Sequence, residues 1–250
     1  MQLVIVTALG IGGATVVGAV IGFLIPSYSQ KLNDILMGFA AGIMMAAAVV
    51  GLVLPALEGT GKKGIPIVGI GLLCGALLLN FLDKVTPHLH HLSGVDSESH
   101  HNGDIDKVLL FVFAIGLHNL PEGLAAGVSF GGGNIGNAIS VALGIALQNI
   151  PEGMIIISPM LMAGISKKRT FVIAAFTGLV EVLGTFLGYA ATSVAASILP
   201  FALSVAGGTM LYVVSDEMIP ETHSHGNELA ATYALMAGFF LMLVMDTCLG

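Results

Sequence analysis

Two six-residue segments, 30 positions apart, carry the side chains best suited to chemistry: His118-Asn119-Leu120-Pro121-Glu122-Gly123 and Gln148-Asn149-Ile150-Pro151-Glu152-Gly153. Each sets a ligand-type side chain, an amide, an apolar residue, Pro, Glu and Gly in the same order. A third acid, Glu181, stands alone in a long apolar stretch. Helical residues four apart project from one face, so His118 is expected beside Glu122 and Gln148 beside Glu152. Pro121 and Pro151 each remove a backbone N–H and free a carbonyl one turn earlier, those of Leu117 and Leu147. One imidazole, three carboxylates and three side-chain amides are gathered with no Lys or Arg nearby. Ionisable groups at membrane depth are costly and usually functional, and a divalent cation is the natural neutraliser for such a set. Borderline nitrogen with hard oxygen, and no thiolate, suits Zn2+, Fe2+, Mn2+ or Cd2+ better than Cu+. If Glu122 and Glu152 bridge, two adjacent ions can be held. The donors are not the closed tetrahedral N/S set of structural zinc, so a site of passage is expected.

The elements that must position these groups follow from composition. Of 250 residues, 56% are hydrophobic and 9% charged, whereas a soluble domain carries about 25% charged residues. An all-α integral membrane protein is expected. Apolar stretches run far beyond the roughly 10-residue alternating segments of a barrel. A two-domain soluble enzyme is excluded. So is a nucleic-acid binder, because eight Lys and Arg cannot form a phosphate footprint. The two cysteines, Cys74 and Cys248, imply no disulfide framework. The start of the chain has no basic segment or cleavage site of a secretory leader, so the first span is expected to be retained.

Eight spans are counted in a single transmembrane domain, at roughly 1–25, 34–57, 65–86, 107–129, 135–164, 170–190, 195–217 and 228–249. Phe171 to Val214 is 44 residues, about 66 Å as one helix, and must fold back near Ser193–Pro200 to fit a core of about 30 Å. Gly131-Gly132-Gly133-Asn134 marks the other reversal. Lys31, Lys84, Lys107, Lys167, Lys168 and Arg169 follow odd-numbered spans, while only Lys62 and Lys63 follow the second. That bias places both termini outside. Small-residue pairs at Gly18/Gly22, Gly38/Gly42, Gly71/Gly75, Gly123/Gly127 and Gly184/Gly188 predict close helix packing. Residues 87–107 form a polar loop with five of the eight His, among them His88, His90 and His91. It reads either as a weak, exchangeable metal binder or as a solvated cytoplasmic linker.

On the paired hexapeptides, Glu181 and the His-rich loop, the chain resembles the ZIP (zinc/iron-regulated-like) family of divalent metal transporters, in its prokaryotic GufA-like branch. The resemblance implies a multi-pass protein of the cell (inner) membrane. It implies a 3+2+3 fold, with spans one to three and six to eight as inverted repeats around spans four and five. It also implies that His118, Glu122, Gln148, Glu152 and Glu181 hold the main transported ion, with Met44 as a soft contact or simply core. Asn119 and Asn149, with bridging Glu122, Glu152 and Glu181, would form a second position. Glu58 and Asp246 would capture entering metal, and Asp216, Glu217, His223 and His225 would line the exit. Many animal members carry His-Glu-x-Pro-His-Glu in the fifth span, where this chain has Gln148 and Gly153. The implied partners are divalent ions, the bilayer and a second copy of the chain, with no prosthetic group. The implied mechanism is alternating access toward the cytoplasm, spans one, four, five and six sliding on the others. A faint repeat accompanies this: Ala41-Gly42-Ile43-Met44 ahead of Leu54-Pro55 resembles Gly207-Gly208-Thr209-Met210 ahead of Ile219-Pro220. Two other readings compete. An intramembrane metallohydrolase could use such donors to activate water, but His-Glu-x-x-His is missing. A metal sensor would explain the loop but not the duplicated motif.

Overall fold

The computed structural model describes residues 1–25, 29–85, 116, 118–194 and 196–249, and among them every regular element is helical. In chain order these are α1 (Gln2–Leu24), α2 (Gln30–Ala46), α3 (Leu54–Thr60), α4 (Ile65–Val85), α5 (residues 118–131), α6 (Ile135–Met162), α7 (Lys167–Val194), α8 (Leu199–Val213), α9 (Ile219–Thr222) and α10 (Glu228–Leu249). Helices are the natural outcome for such apolar segments, because lipid offers no partner for an unpaired backbone group. Six stretches among the described residues are long and apolar enough to cross a membrane: Gln2–Leu24, Gln30–Leu82, Ile135–Met162, Lys167–Ser193, Leu199–Thr222 and Glu228–Leu249. The second has 53 residues, about 80 Å if straight, but it breaks at Gly61–Gly64, where Gly61 adopts φ +58°. The predicted reversals fall where expected. α5 ends at a turn through Gly132 and Gly133, and Asn134 caps α6 by accepting from the Asn137 N–H at 3.1 Å. A short turn at Ala196–Ile198 separates α7 from α8. The early part of the fourth predicted span, Leu117, and the His-rich loop with His88, His90 and His91 lie outside the described residues.

The second predicted span begins earlier than expected, at Gln30 rather than residue 34. Ser29 supplies the cap, its hydroxyl accepting from the Leu32 N–H at 3.2 Å, so Asp34 lies within the helix.

Packing follows the small residues. α1 turns Ala8, Ile11, Gly12, Thr15, Ala19 and Gly22 inward against α6 and α7, and leaves Val6, Leu9, Val17 and Leu24 outward. α2 runs along α10, and α4 along α8. Each predicted small-residue pair sits at a helix contact where an added methyl would meet the neighbour: Gly18/Gly22 on α6, Gly38/Gly42 on α10, Gly71/Gly75 on α8, Gly123/Gly127 on α7 and Gly184/Gly188 on α5. Ile43, Met44, Val141, Ile145, Leu52, Met210 and Met242 form the apolar centre where α2, α6, α8 and α10 meet.

Two helices are interrupted in matching places. A π-helical segment at Ala47–Val53 runs into Leu54-Pro55 of α3, and a second at Val214–Met218 runs into Ile219-Pro220 of α9. They begin three residues after Met44 and four after Met210, which is where the two halves of the sequence echo one another. π-helical turns are rare and concentrate at functional sites.

Candidate metal centre

The twin hexapeptides lie on α5, over its first described residues, and at the middle of α6, and both prolines are carried inside helix. Their final glycines are contact points. A Cβ on Gly123 would overlap the carbonyl of Glu181 on α7, and one on Gly153 would overlap that of Thr15 on α1. The motif glycines therefore draw α7 and α1 against the two segments that carry the ligand-type side chains.

Glu181 is fully buried and is the hub. Its Oε1 accepts from Asn119 Nδ2 at 2.6 Å and from Thr15 Oγ1 at 2.9 Å, and its Oε2 accepts from Asn149 Nδ2. Asn149 Nδ2 also reaches the Ile11 carbonyl at 3.2 Å. The carboxylates of Glu122 and Glu181 are electrostatic neighbours of Glu152, and so is the His118 ring. Gln148 lies beside Glu122, yet neither of its amide atoms makes a hydrogen bond of ordinary geometry.

The amide orientation has a direct chemical consequence. Asn119 and Asn149 turn their NH2 groups to Glu181, which leaves both Oδ1 atoms buried without a partner among the described residues; Glu122 Oε2 and Gln148 Oε1 are in the same condition. Four orphaned oxygens from one repeated motif form a set of hard donors with nothing to donate to. A buried polar atom left this way costs on the order of 1–3 kcal/mol, and a cation is the one partner that satisfies several such oxygens at once. Among the described residues no three His, Cys, Asp or Glu side chains form a ready-made metal cluster. The oxygen set here depends on amides, and Glu181 is engaged by its own donors.

His118 also makes a contact beyond the two hexapeptides. Its Nε2 stands 3.0 Å from Glu217 Oε1, on the second π-helical segment. Met44 is buried in the apolar core of α2. Glu58 and Asp246 line a common cavity of about 330 Å3 with Ser129, Asn134 and Asn137. One oxygen of Asp246 is buried there without a partner. Asp216 is exposed. His223 is absorbed by its own turn, Nδ1 2.8 Å from the Ile219 carbonyl and Nε2 3.2 Å from Thr232 Oγ1. His225 lies 3.2 Å from Asp34 and 3.8 Å from Glu221.

Two polar residues escaped the sequence reading. Thr15 looked like one more small residue in an apolar span. Asp34 is fully buried and holds Gln30 Nε2 at 3.0 Å, Asn227 Nδ2 at 2.8 Å and the His225 ring. It ties α2 to the turn before α10. Asp34→Ala strips acceptors from these groups and is expected to cost about 2 kcal/mol of stability, read as a lowered melting temperature in detergent; an unchanged melting curve would refute that role.

An oxygen-rich polar site buried among membrane-crossing helices is the arrangement that a membrane transport protein needs. Residues 103–246 match the family described as ZIP Zinc transporter. The chain is 41% identical to Zinc transporter GufA of Myxococcus xanthus over 98% of both chains. It is 40% identical to Zinc transporter ZIPB of Bordetella bronchiseptica over 95% of this chain and 78% of that one. It is 30% identical to Zinc transporter ZIP11 of Homo sapiens over 95% of this chain and 94% of that one. The chain belongs to the ZIP family.

Proposed function

We propose that this chain carries Zn2+, and with it related divalent ions such as Cd2+, Fe2+ or Mn2+, across the inner membrane into the cytoplasm. The observation that carries this reading is the set of orphaned buried oxygens on Asn119, Glu122, Gln148 and Asn149. They come from the two hexapeptides and lie around the carboxylates of Glu122, Glu152 and Glu181. The relatives' names point the same way. His118, Glu122, Gln148, Glu152 and Glu181 would hold the principal ion, with Met44 at its edge. Asn119, Asn149 and Glu181 would complete a second position through bridging Glu122 and Glu152.

In this reading the chain is a single domain of eight spans with both termini outside, and the matched π-helical segments support an inverted repeat. Inverted repeats around a midplane site suit alternating access. Ions would enter past Glu58 and Asp246, whose shared cavity supports that role. They would leave past His118 and Glu217, whose 3.0 Å contact supports a step between site and exit. Asp216, His223, His225 and the His-rich loop would sit beyond. A homodimer is the proposed assembly, its helices presenting apolar faces to lipid and to each other.

The test is flux of radioactive zinc into proteoliposomes, competed by Cd2+, Fe2+ and Mn2+ with and without a pH gradient. Saturable zinc entry that the other ions slow is expected. Protein-independent leakage alone would end the proposal.

A further inference from the structure

The ligand-type side chains all come from α5, α6 and α7, yet α1 reaches the same site. We propose that Thr15 of α1 is a positioning residue for Glu181 and thereby sets the affinity of the transported ion; this rests on the zinc-transport reading above. Thr15 is 1% exposed, and its hydroxyl donates to Glu181 Oε1 at 2.9 Å. Asn119 donates to the same oxygen at 2.6 Å, so the two donors occupy its lone pairs. Among the described residues Oε2 receives Asn149 alone, which keeps one acceptor direction for an ion. Thr15 therefore decides which oxygen of Glu181 can ligate.

The α1 turn fixes the neighbouring amide by the same logic. Ile11 is four residues before Thr15, on the same face, and its carbonyl accepts from Asn149 Nδ2 at 3.2 Å. An amide carries oxygen and NH2 on opposite sides. With the NH2 of Asn149 held between Ile11 and Glu181, its Oδ1 is turned to the other side, where it has no partner. Thr15 cannot drift from this position. Gly153 of α6 lies against its carbonyl, and Gly178 of α7 lies against the carbonyl of Gly12 one turn earlier. α1 is thus held on both helices at the level of the site.

Partners that orient metal ligands without touching the ion typically change metal affinity by about 10–100-fold when removed. The experiment compares the wild type with Thr15→Val, which keeps the shape and loses the hydroxyl, Thr15→Ala, which loses it without branching, and Thr15→Ser, which keeps it. Zinc uptake is measured against zinc concentration in proteoliposomes and normalised to protein that elutes as a folded species. The expected result is a KM raised about tenfold or more in Thr15→Val and Thr15→Ala, little change in kcat, and a near wild-type KM in Thr15→Ser. Wild-type KM in either hydroxyl-free variant overturns the proposal, and so does a fall in kcat at constant KM, the mark of a merely structural role. Failure of the wild type to move zinc is a different result: it removes the transport reading on which the assignment of Thr15 stands.

Discussion

Glu122→Ala is expected to abolish zinc uptake and to leave a folded bundle. Glu122 is 2% exposed, with one carboxylate oxygen unpartnered, and the carboxylates of Glu152 and Glu181 are its electrostatic neighbours. As the proposed bridge between two ion positions it is lost from both at once. The loss should therefore exceed the roughly 100-fold upper range for partners that only orient ligands. Stability should move the other way or not at all. Removing a buried charge that lacks a fixed counter-charge relieves an unfavourable burial rather than breaking a pair. The measurement is zinc flux beside a melting curve, with Glu122→Gln as the companion that keeps size and drops charge. Uptake equal to wild type in Glu122→Ala would sink the metal centre as drawn. An unfolded variant would contradict the structural half of the prediction, and Glu122→Gln would then carry the functional half.

The duplicated motif was legible in the sequence because it repeats: six positions in the same order, set against apolar helices, stand out from any background. The glycine pairs were legible because close helix contact in lipid demands small residues at a four-residue spacing. What could not be read was direction. Spacing places His118 on a face with Glu122, but it does not show the contact with Glu217, a residue about a hundred positions away. The orientation of Asn119 and Asn149 is likewise settled by Glu181 on another helix. Thr15 was invisible for the opposite reason. One hydroxyl among Ala, Gly and Val carries no pattern, and only the approach of α7 gives it a partner. Asp34 stands at the first position of the predicted second span, where nothing announces its partners; the Ser29 cap starts the helix at Gln30, and the acid lies buried within it. The π-helical segments have no sequence signature beyond the prolines that follow them.

Gly153→Ala is expected to be far more damaging than its single methyl suggests, and Gly13→Ala on α1 nearly silent. At Gly153 the new Cβ would overlap the Thr15 carbonyl and stand 3.0 Å from the Ala19 amide nitrogen. Both are backbone atoms of α1, so no rotamer change can relieve them and the helices must part. Forcing extra volume into a close-packed contact costs about 1–3 kcal/mol, and more where backbone must shift. A loss of about 3 kcal/mol lowers the melting temperature of a chain this size by roughly 6–12 °C. At Gly13 nothing lies within 4 Å of an added Cβ, and alanine is the better helix former, so no loss is expected. The same displacement should weaken zinc binding, because moving α1 from α6 carries the Thr15 hydroxyl off Glu181 and the Ile11 carbonyl off Asn149. Melting curves of the two variants in one detergent, beside zinc uptake at low and saturating zinc, separate the effects. If the two glycines tolerate alanine equally well, α1 is not held at the site by close backbone contact, and the positioning role given to Thr15 loses its mechanical basis.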